Sequence, residues 1–282
     1  MTLFKNNKLF NINNLLGFLI FLFAFFVNKH YSSLGIFPID TFLHFDSGFR
    51  ILNGEYPIKD FWVVAGFFVD FFEALFFYFL GVSWETHIFH SSLINATLSV
   101  MTFMIFLSFG LKNFYSLLYS LMFGILAYPS SGTPFVDHHA TFFSLMGIYF
   151  FIWGIKFKNN YFFSIFPWLF GFSFLSKQVP SSYIVIFISI LFLYYCIINK
   201  SYKSLLIVSV SSCTFLISFF IFCKIIELDL NLFFKQYFLY PQSIGASRFN
   251  SLEINLEDFF NNYKFIIIPL LFITILNFKK II

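Results

Sequence analysis

Long apolar runs separated by short polar breaks set the rhythm of this chain. Runs able, or nearly able, to cross a bilayer are Leu9–Val27, Phe89–Leu111, Phe114–Tyr128, Ala140–Ile155, Tyr161–Leu175, Tyr183–Ile198, Leu205–Ile226 and Phe265–Phe278. A spanning helix needs about 20 mostly apolar residues, within a usual range of about 17–25. The pattern predicts an all-α polytopic membrane protein of about eight transmembrane helices. It forms a single membrane domain over residues 1–282, with no soluble domain and no internal repeat. Three polar segments interrupt the runs: His30–His87, Pro129–His139 and Glu227–Lys264.

Composition agrees. Of 282 residues 59% are hydrophobic and 11% charged, against about 25% charged in soluble domains. The net charge of +4 calls for no nucleic-acid partner, because topology accounts for the lysines. Cys196, Cys213 and Cys223 all lie in apolar runs, which suggests neither a disulfide framework nor a cysteine metal site. Lys5 and Lys8 precede the first apolar run, and no small-residue cleavage site follows it. An uncleaved signal anchor with a cytoplasmic N-terminus is therefore expected.

A ninth apolar run, Val63–Leu80, decides the sidedness. If it does not cross, the inner ends carry Lys5 and Lys8, Lys112, Lys156 and Lys158, Lys200 and Lys203, and Lys279 and Lys280. Every short inner loop then holds lysine, as the positive-inside rule requires. All 13 acidic residues and all 6 histidines fall on the outer face of a cell inner (plasma) membrane. If the run crosses, the later lysines move outside. Asp70 and Glu73 are three apart and share one helical face, and a charge at the bilayer centre costs about 2.5–3.5 kcal/mol. Both considerations favour a helix lying on the outer interface with Gly66, Asp70 and Glu73 towards water. An ordinary span with its acids near one end is the alternative.

The first outer segment is the most polar stretch in the first half of the chain. Phe42, Phe45, Phe49 and Leu52 recur at helical spacing, with His44, Ser47 and Arg50 on the other side. This predicts an amphipathic helix over Thr41–Asn53. Asp40 stands at its N-cap position, Asp46 can pair with Arg50 one turn on, and Gly54 with Pro57 ends it. On local pattern alone, Asp40 is a cap and Asp46–Arg50 an exposed salt bridge.

The phrase Asp40-x5-Asp46-x3-Arg50-x3-Gly54, then Tyr56-Pro57-x2-Asp60-Phe61, resembles the first periplasmic loop of GT-C glycosyltransferases. It is most similar to integral-membrane enzymes of the dolichyl-phosphate-mannose mannosyltransferase and aminoarabinose-transferase type. In that family a short helix lies on the outer face after the first span. An aspartate at its start is catalytic, and a second surface helix ends in a phrase like Leu80-Gly81-Val82-Ser83. The resemblance implies Asp40 as the catalytic carboxylate, with Asp46 as second choice. It further implies Asp137, beside His138, as an acidic residue of the next outer loop, and Lys177 as a contact for the lipid phosphate. The resemblance covers roughly Leu15–Tyr195. Larger members have more spans and often a soluble C-terminal domain, both missing here, which leaves open whether this chain is a complete or a C-terminally truncated enzyme.

Such an enzyme moves a sugar from a polyprenyl-phosphate donor to a glycan, lipid or protein acceptor outside the cytoplasm. A positioned carboxylate takes the acceptor proton, and a cation stabilises the departing phosphate. Lys177 is the first choice for that cation and Arg248 the second. Their ordinary roles would be a snorkelling helix-end lysine and a solvated loop charge. Asp137-His138-His139 or His87-x2-His90 could hold a divalent metal, although neither has established ligand spacing. No Ser-His-Asp arrangement, P-loop or dinucleotide fingerprint is present. A transporter or lipid flippase, and an inactive assembly subunit, are the other function classes. The absence of repeats and of mid-span acids counts against transport.

Overall fold

The computed structural model describes residues 12–35, 40–63, 65–129, 131–250 and 255–281. The backbone of Asp40 and Arg248 is included, but their side chains lie outside the described residues. Among these residues there is no β-strand. The helices are α1 (Ile12–Ser32), α2 (Asp40–Leu52), α3 (Phe68–Leu80), α4 (Trp84–Ser108), α5 (Asn113–Leu126), α6 (Val136–Phe157), α7 (Asn160–Ser176), α8 (Gln178–Ile198) and α9 (Tyr202–Ile225). Then come α10 (Leu230–Phe234), a π-helical turn (Lys235–Leu239), α11 (Tyr240–Asn250) and α12 (Leu256–Ile281).

Six helices are long and apolar enough to cross a membrane: α1, α4, α6, α8, α9 and the Leu256–Leu276 part of α12. The protein is thus a multi-pass membrane protein. Helices occupy the places of the two remaining expected spans, but α5 has 14 residues and α7 has 17. The ninth run forms a helix of 13 residues, about 20 Å long at 1.5 Å per residue and too short to cross unaided.

The chain separates into two compact units, one ending at Tyr237 and one starting at Phe238. In the first, side-chain bonds sort the helix ends. Lys29 near the end of α1 pairs with Glu85 at the start of α4 at 2.9 Å. Asn28 Nδ2 donates to Ser91 Oγ, Ser92 Oγ and the Gly132 carbonyl at 3.0–3.1 Å. Asp137 opening α6 meets Lys177, just after α7. Opposite, Asn13 meets Asn113 and Ser204 meets Asn160, joining the starts of α1 with α5 and of α7 with α9. Successive long helices therefore alternate in direction. One end carries His44, Asp70, Glu73, His87, His90, Asp137, His138, His139 and Lys177; the other carries Lys112, Lys156, Lys158, Lys200 and Lys203.

Serine and asparagine hold the seams, as expected where hydrocarbon removes the usual drive to bury apolar surface. Asn95 Nδ2 reaches the carbonyls of Ala24 and Gly124. Ser173 bonds Ser144 and Ser181 on the two flanking helices.

One glycine fixes where α3 starts. The Gly66 N–H donates to the Ser176 carbonyl at 2.9 Å, and an added Cβ would stand 1.8 Å from the Leu175 carbonyl oxygen. Backbone meets backbone there, so neither side can yield by a rotamer change. Gly66→Ala is expected to destabilise the protein by about 1–3 kcal/mol or more, read as a lowered melting temperature in detergent.

In the second unit α11 and α12 fill much of the expected Glu227–Lys264 segment with helix, and α12 starts at Leu256 rather than Phe265.

Candidate functional site: a buried carboxylate–histidine network, an ion pair and an aromatic cavity

Helix α3 lies inside out relative to the sequence expectation, and α2 turns its polar face inward. The inner face of α3 is Val69, Asp70, Glu73, Ala74 and Phe77, with both acids fully buried. Its outer face is Leu75, Tyr78, Phe79 and Leu80, all exposed. In α2, His44 and Ser47 are buried while Phe42, Phe49 and Leu52 are exposed. The expectation that Asp70, Glu73 and Gly66 face water is therefore corrected: all three point into the bundle. The physical reason is the solvent. Beside a bilayer the outward surface meets hydrocarbon, so ionisable groups turn inward and find partners.

The partners are histidines from three other helices. His44 Nδ1 lies 2.6 Å from Asp70 Oδ1. His87 and His90, one turn apart on α4, direct their Nδ1 atoms at the two oxygens of Glu73, at 2.8 and 2.5 Å. The other nitrogen of His90, Nε2, is 2.9 Å from Nε2 of His139 on α6. His139 Nδ1 lies 2.9 Å from the Tyr128 hydroxyl and 3.1 Å from the Phe135 carbonyl. The Phe135 N–H donates to the Tyr128 oxygen at 3.1 Å.

Local sequence builds this arrangement. Ser83 caps α4 by accepting from the Thr86 N–H at 3.1 Å, setting the phase of His87 and His90. Gly48 admits α2 against the Glu73 stem, since a Cβ there would stand 2.8 Å from Glu73 Cγ. Phe45 packs edge-on to His87, and Phe72 and Phe76 enclose His90 at 4.9 and 4.8 Å between ring centres. This aromatic sleeve excludes water and strengthens each enclosed hydrogen bond.

Burial raises the Asp70 carboxyl above its ordinary value, against the lowering effect of His44. Burial also pushes Glu73 upward, but the hydrogen bonds and charges of His87 and His90 outweigh it and hold that carboxyl at about 2. A carboxyl depressed in the fold contributes stability that is complete above its unfolded value and lost as pH falls through the folded one. For Glu73 that window runs from 4.5 down to about 2. Asp70, being raised, acts with the opposite sign and favours the fold more as pH falls. The wild-type melting temperature is expected to drop across the Glu73 window, and Glu73→Gln to flatten that drop.

The sequence-predicted site residues divide into groups. Asp137 and Lys177 come together, with Oδ1 and Nζ 2.6 Å apart and both side chains partly exposed. His138 is partly buried, its ring 4.8 Å from Tyr128. Asp46 is exposed on α2. Arg50 does not pair with Asp46; its Nε bonds Glu55 at 2.6 Å and its guanidinium lies over Phe61 at 4.2 Å. The turn after Gly54, which has φ +85°, brings Glu55 back within reach. Asp60, part of the Tyr-Pro-x-x-Asp-Phe phrase, organises that turn by accepting from the Tyr56 N–H at 2.7 Å. The roles expected of the Asp40 carboxylate and the Arg248 guanidinium lie outside the described residues. No group of three or more His, Cys, Asp or Glu side chains is arranged to hold a metal ion among the described residues.

A cavity of about 200 Å³ lies between α3, α7 and α9, and neither Asp137 nor Lys177 is among its lining residues. Phe67, Phe68 and Phe71 line it from the start of α3, Trp168 and Phe172 from α7, and Phe215 and Phe219 from α9. Leu175, two residues before Lys177, also contributes to its wall. Its walls are almost wholly aromatic, and Ser218 is the one polar side chain among them.

Sequence reasoning paired Asp70 with Glu73 and His87 with His90 as shared helical faces, but did not join the two pairs. The signal was available: two acids and two histidines, each three apart, on consecutive helices. Comparison with known protein families, curated proteins and solved structures finds no match.

Proposed function

We propose that this protein is a GT-C-type glycosyltransferase that transfers a sugar from a polyprenyl-phosphate donor to an acceptor on the outer face of the membrane. The observation that carries this reading is the Asp137–Lys177 pair, together with a phenylalanine-lined cavity whose wall reaches Leu175, two residues before Lys177. A lipid phosphate needs a cation and apolar volume, and Lys177 follows the cavity residue Leu175 by two positions.

Two further features support it. The paired helices α2 and α3 lie between the first two long helices, where the resemblance expects surface helices. Leu80-Gly81-Val82-Ser83 leads directly into α4, as in that family. In this reading Lys177 steadies the departing phosphate and Asp40 takes the acceptor proton. Asp137 holds Lys177 extended until donor arrives. The end rich in acids and histidines faces outward, and the lysine-bearing end faces the cytoplasm, in accord with the positive-inside rule.

The test is turnover. Purified protein in lipid nanodiscs is given a polyprenyl-phosphate-linked sugar and a panel of acceptors, and release of polyprenyl phosphate is measured. Release by wild type and its loss in Asp40→Asn is the expected result. Donor left intact across the panel, or turnover indifferent to Asp40→Asn, would overturn the reading.

A further inference from the structure

With Glu73 ionised and His87, His90 and His139 neutral, the hydrogen bonds around Glu73 have only one consistent proton order. His87 Nε2 is fully buried and has no hydrogen-bond partner among the described residues, so a proton there would go unsatisfied. The proton of His87 therefore sits on Nδ1 and is donated to Glu73 Oε1, which makes Glu73 the acceptor. His90 Nδ1 likewise donates to Glu73 Oε2, which leaves His90 Nε2 a bare lone pair. His139 Nε2 must then donate to His90 Nε2, and His139 Nδ1 must accept. The Tyr128 hydroxyl is the donor placed to fill it, while Tyr128 itself accepts from the Phe135 N–H. Every donor along Tyr128, His139 and His90 points towards Glu73.

The opposite order is also provided for. Should His139 carry its proton on Nδ1, the Phe135 carbonyl stands 3.1 Å away to accept it. The two tautomers of His139 thus each have a partner in place, with no heavy atom moved. A purely structural histidine needs only one.

We propose that Tyr128, His139, His90 and Glu73 form a proton relay from the loop between α5 and α6 to the buried carboxylate, with His139 as its switch. The co-reactant is a proton from bulk water. Tyr128 is itself fully buried, so the proton must first cross the segment that covers it; the Tyr128 oxygen takes it up as that hydroxyl passes its own proton to His139 Nδ1. His139 Nε2 gives its proton to His90 Nε2, and His90 Nδ1 gives its proton to Glu73 Oε2. Each O–H or N–H bond broken is matched by one formed, no electrons are exchanged, and one positive charge arrives at Glu73. Afterwards the Glu73 hydroxyl donates to His90 Nδ1, His90 Nε2–H donates to His139 Nε2, and His139 Nδ1–H donates to the Phe135 carbonyl. The charged and titratable groups facing the chain are His44 on α2, Asp70 on α3, His87 on α4, and Asp137 and His138 on α6. This inference does not rest on glycosyl transfer and would hold for a transporter equally.

The experiment is a pH titration of the full chain in nanodiscs, with nitrogen-15 histidine and carbon-13 glutamate read by solid-state NMR. Glu73→Gln identifies the carboxyl signal. At neutral pH, His87 and His90 are expected to carry protons on Nδ1 and His139 on Nε2. On acidification the Glu73 carboxyl and the tautomers of His90 and His139 are expected to change at one shared midpoint. Tyr128→Phe, which keeps the ring and removes the entry hydroxyl, is expected to lose that coupling. Glu73 titrating while His139 keeps one tautomer would overturn the relay, using wild-type protein alone. So would a Glu73 carboxyl that takes up no proton before the fold is lost.

Discussion

Replacing Glu73 by alanine is expected to cost the folded protein about 3–5 kcal/mol, the usual penalty for removing one partner from a buried charged pair. The carboxylate satisfies His87 and His90 at once, so its removal strands two buried N–H donors from a neighbouring helix. Nothing in the aromatic sleeve of Phe45, Phe72 and Phe76 can accept them. Glu73→Gln keeps one acceptor oxygen and the volume, so its loss is expected to be smaller. Val69→Ala, on the same buried face of α3, serves as the comparison for a simple packing loss. Equilibrium unfolding in mixed detergent micelles measures all three. A Glu73→Ala protein as stable as wild type would mean that the network contributes nothing net to the fold.

The second large effect concerns turnover. In the glycosyltransferase reading, Lys177→Met is expected to lower the rate of polyprenyl phosphate release by about 10²–10³-fold, as for loss of one charge-stabilising donor. Its stability is expected to change little, because a partly exposed ion pair contributes only about 0–1 kcal/mol. Unfolding and turnover should therefore separate in this variant. They should not separate in Glu73→Ala, where loss of fold brings loss of rate. An unchanged rate in Lys177→Met would remove Lys177 from the phosphate site and leave its bond to Asp137 as an ordinary surface contact.

Much of the architecture was legible in the sequence because hydropathy reports directly on what a bilayer accepts. Each of the eight expected spans has a helix at its place, although only six reach spanning length and composition. The short ninth run was legible too, as a helix with Asp70 and Glu73 on one face. The sequence put Asp137 and Lys177 at the outer ends of neighbouring spans but did not pair them.

What failed was the direction of the short helices. Periodicity shows that α2 has two unlike faces, and it placed Phe42, Phe49 and His44 on the correct sides. It does not say which face meets protein. In water the apolar face turns inward; beside lipid it turns out, and His44 goes in to meet Asp70. The partner of Arg50 was missed for a related reason. Spacing along a helix favoured Asp46, but the turn at Gly54 folds Glu55 back, and a turn's path is not written in helical periodicity.

The inward face of α3 also bears on the order in which the protein is made. Asp70 and Glu73 leave the ribosome before His87 and His90, and well before Tyr128 and His139. Until α4 is in place, the two carboxylates have no donors from that helix, and until α6 follows, the chain of bonds beyond His90 is open. Leu75, Tyr78, Phe79 and Leu80 on the other side of α3 meanwhile keep it at the membrane surface. The first loop must therefore wait at the interface and settle only after α4 and α6 have been inserted.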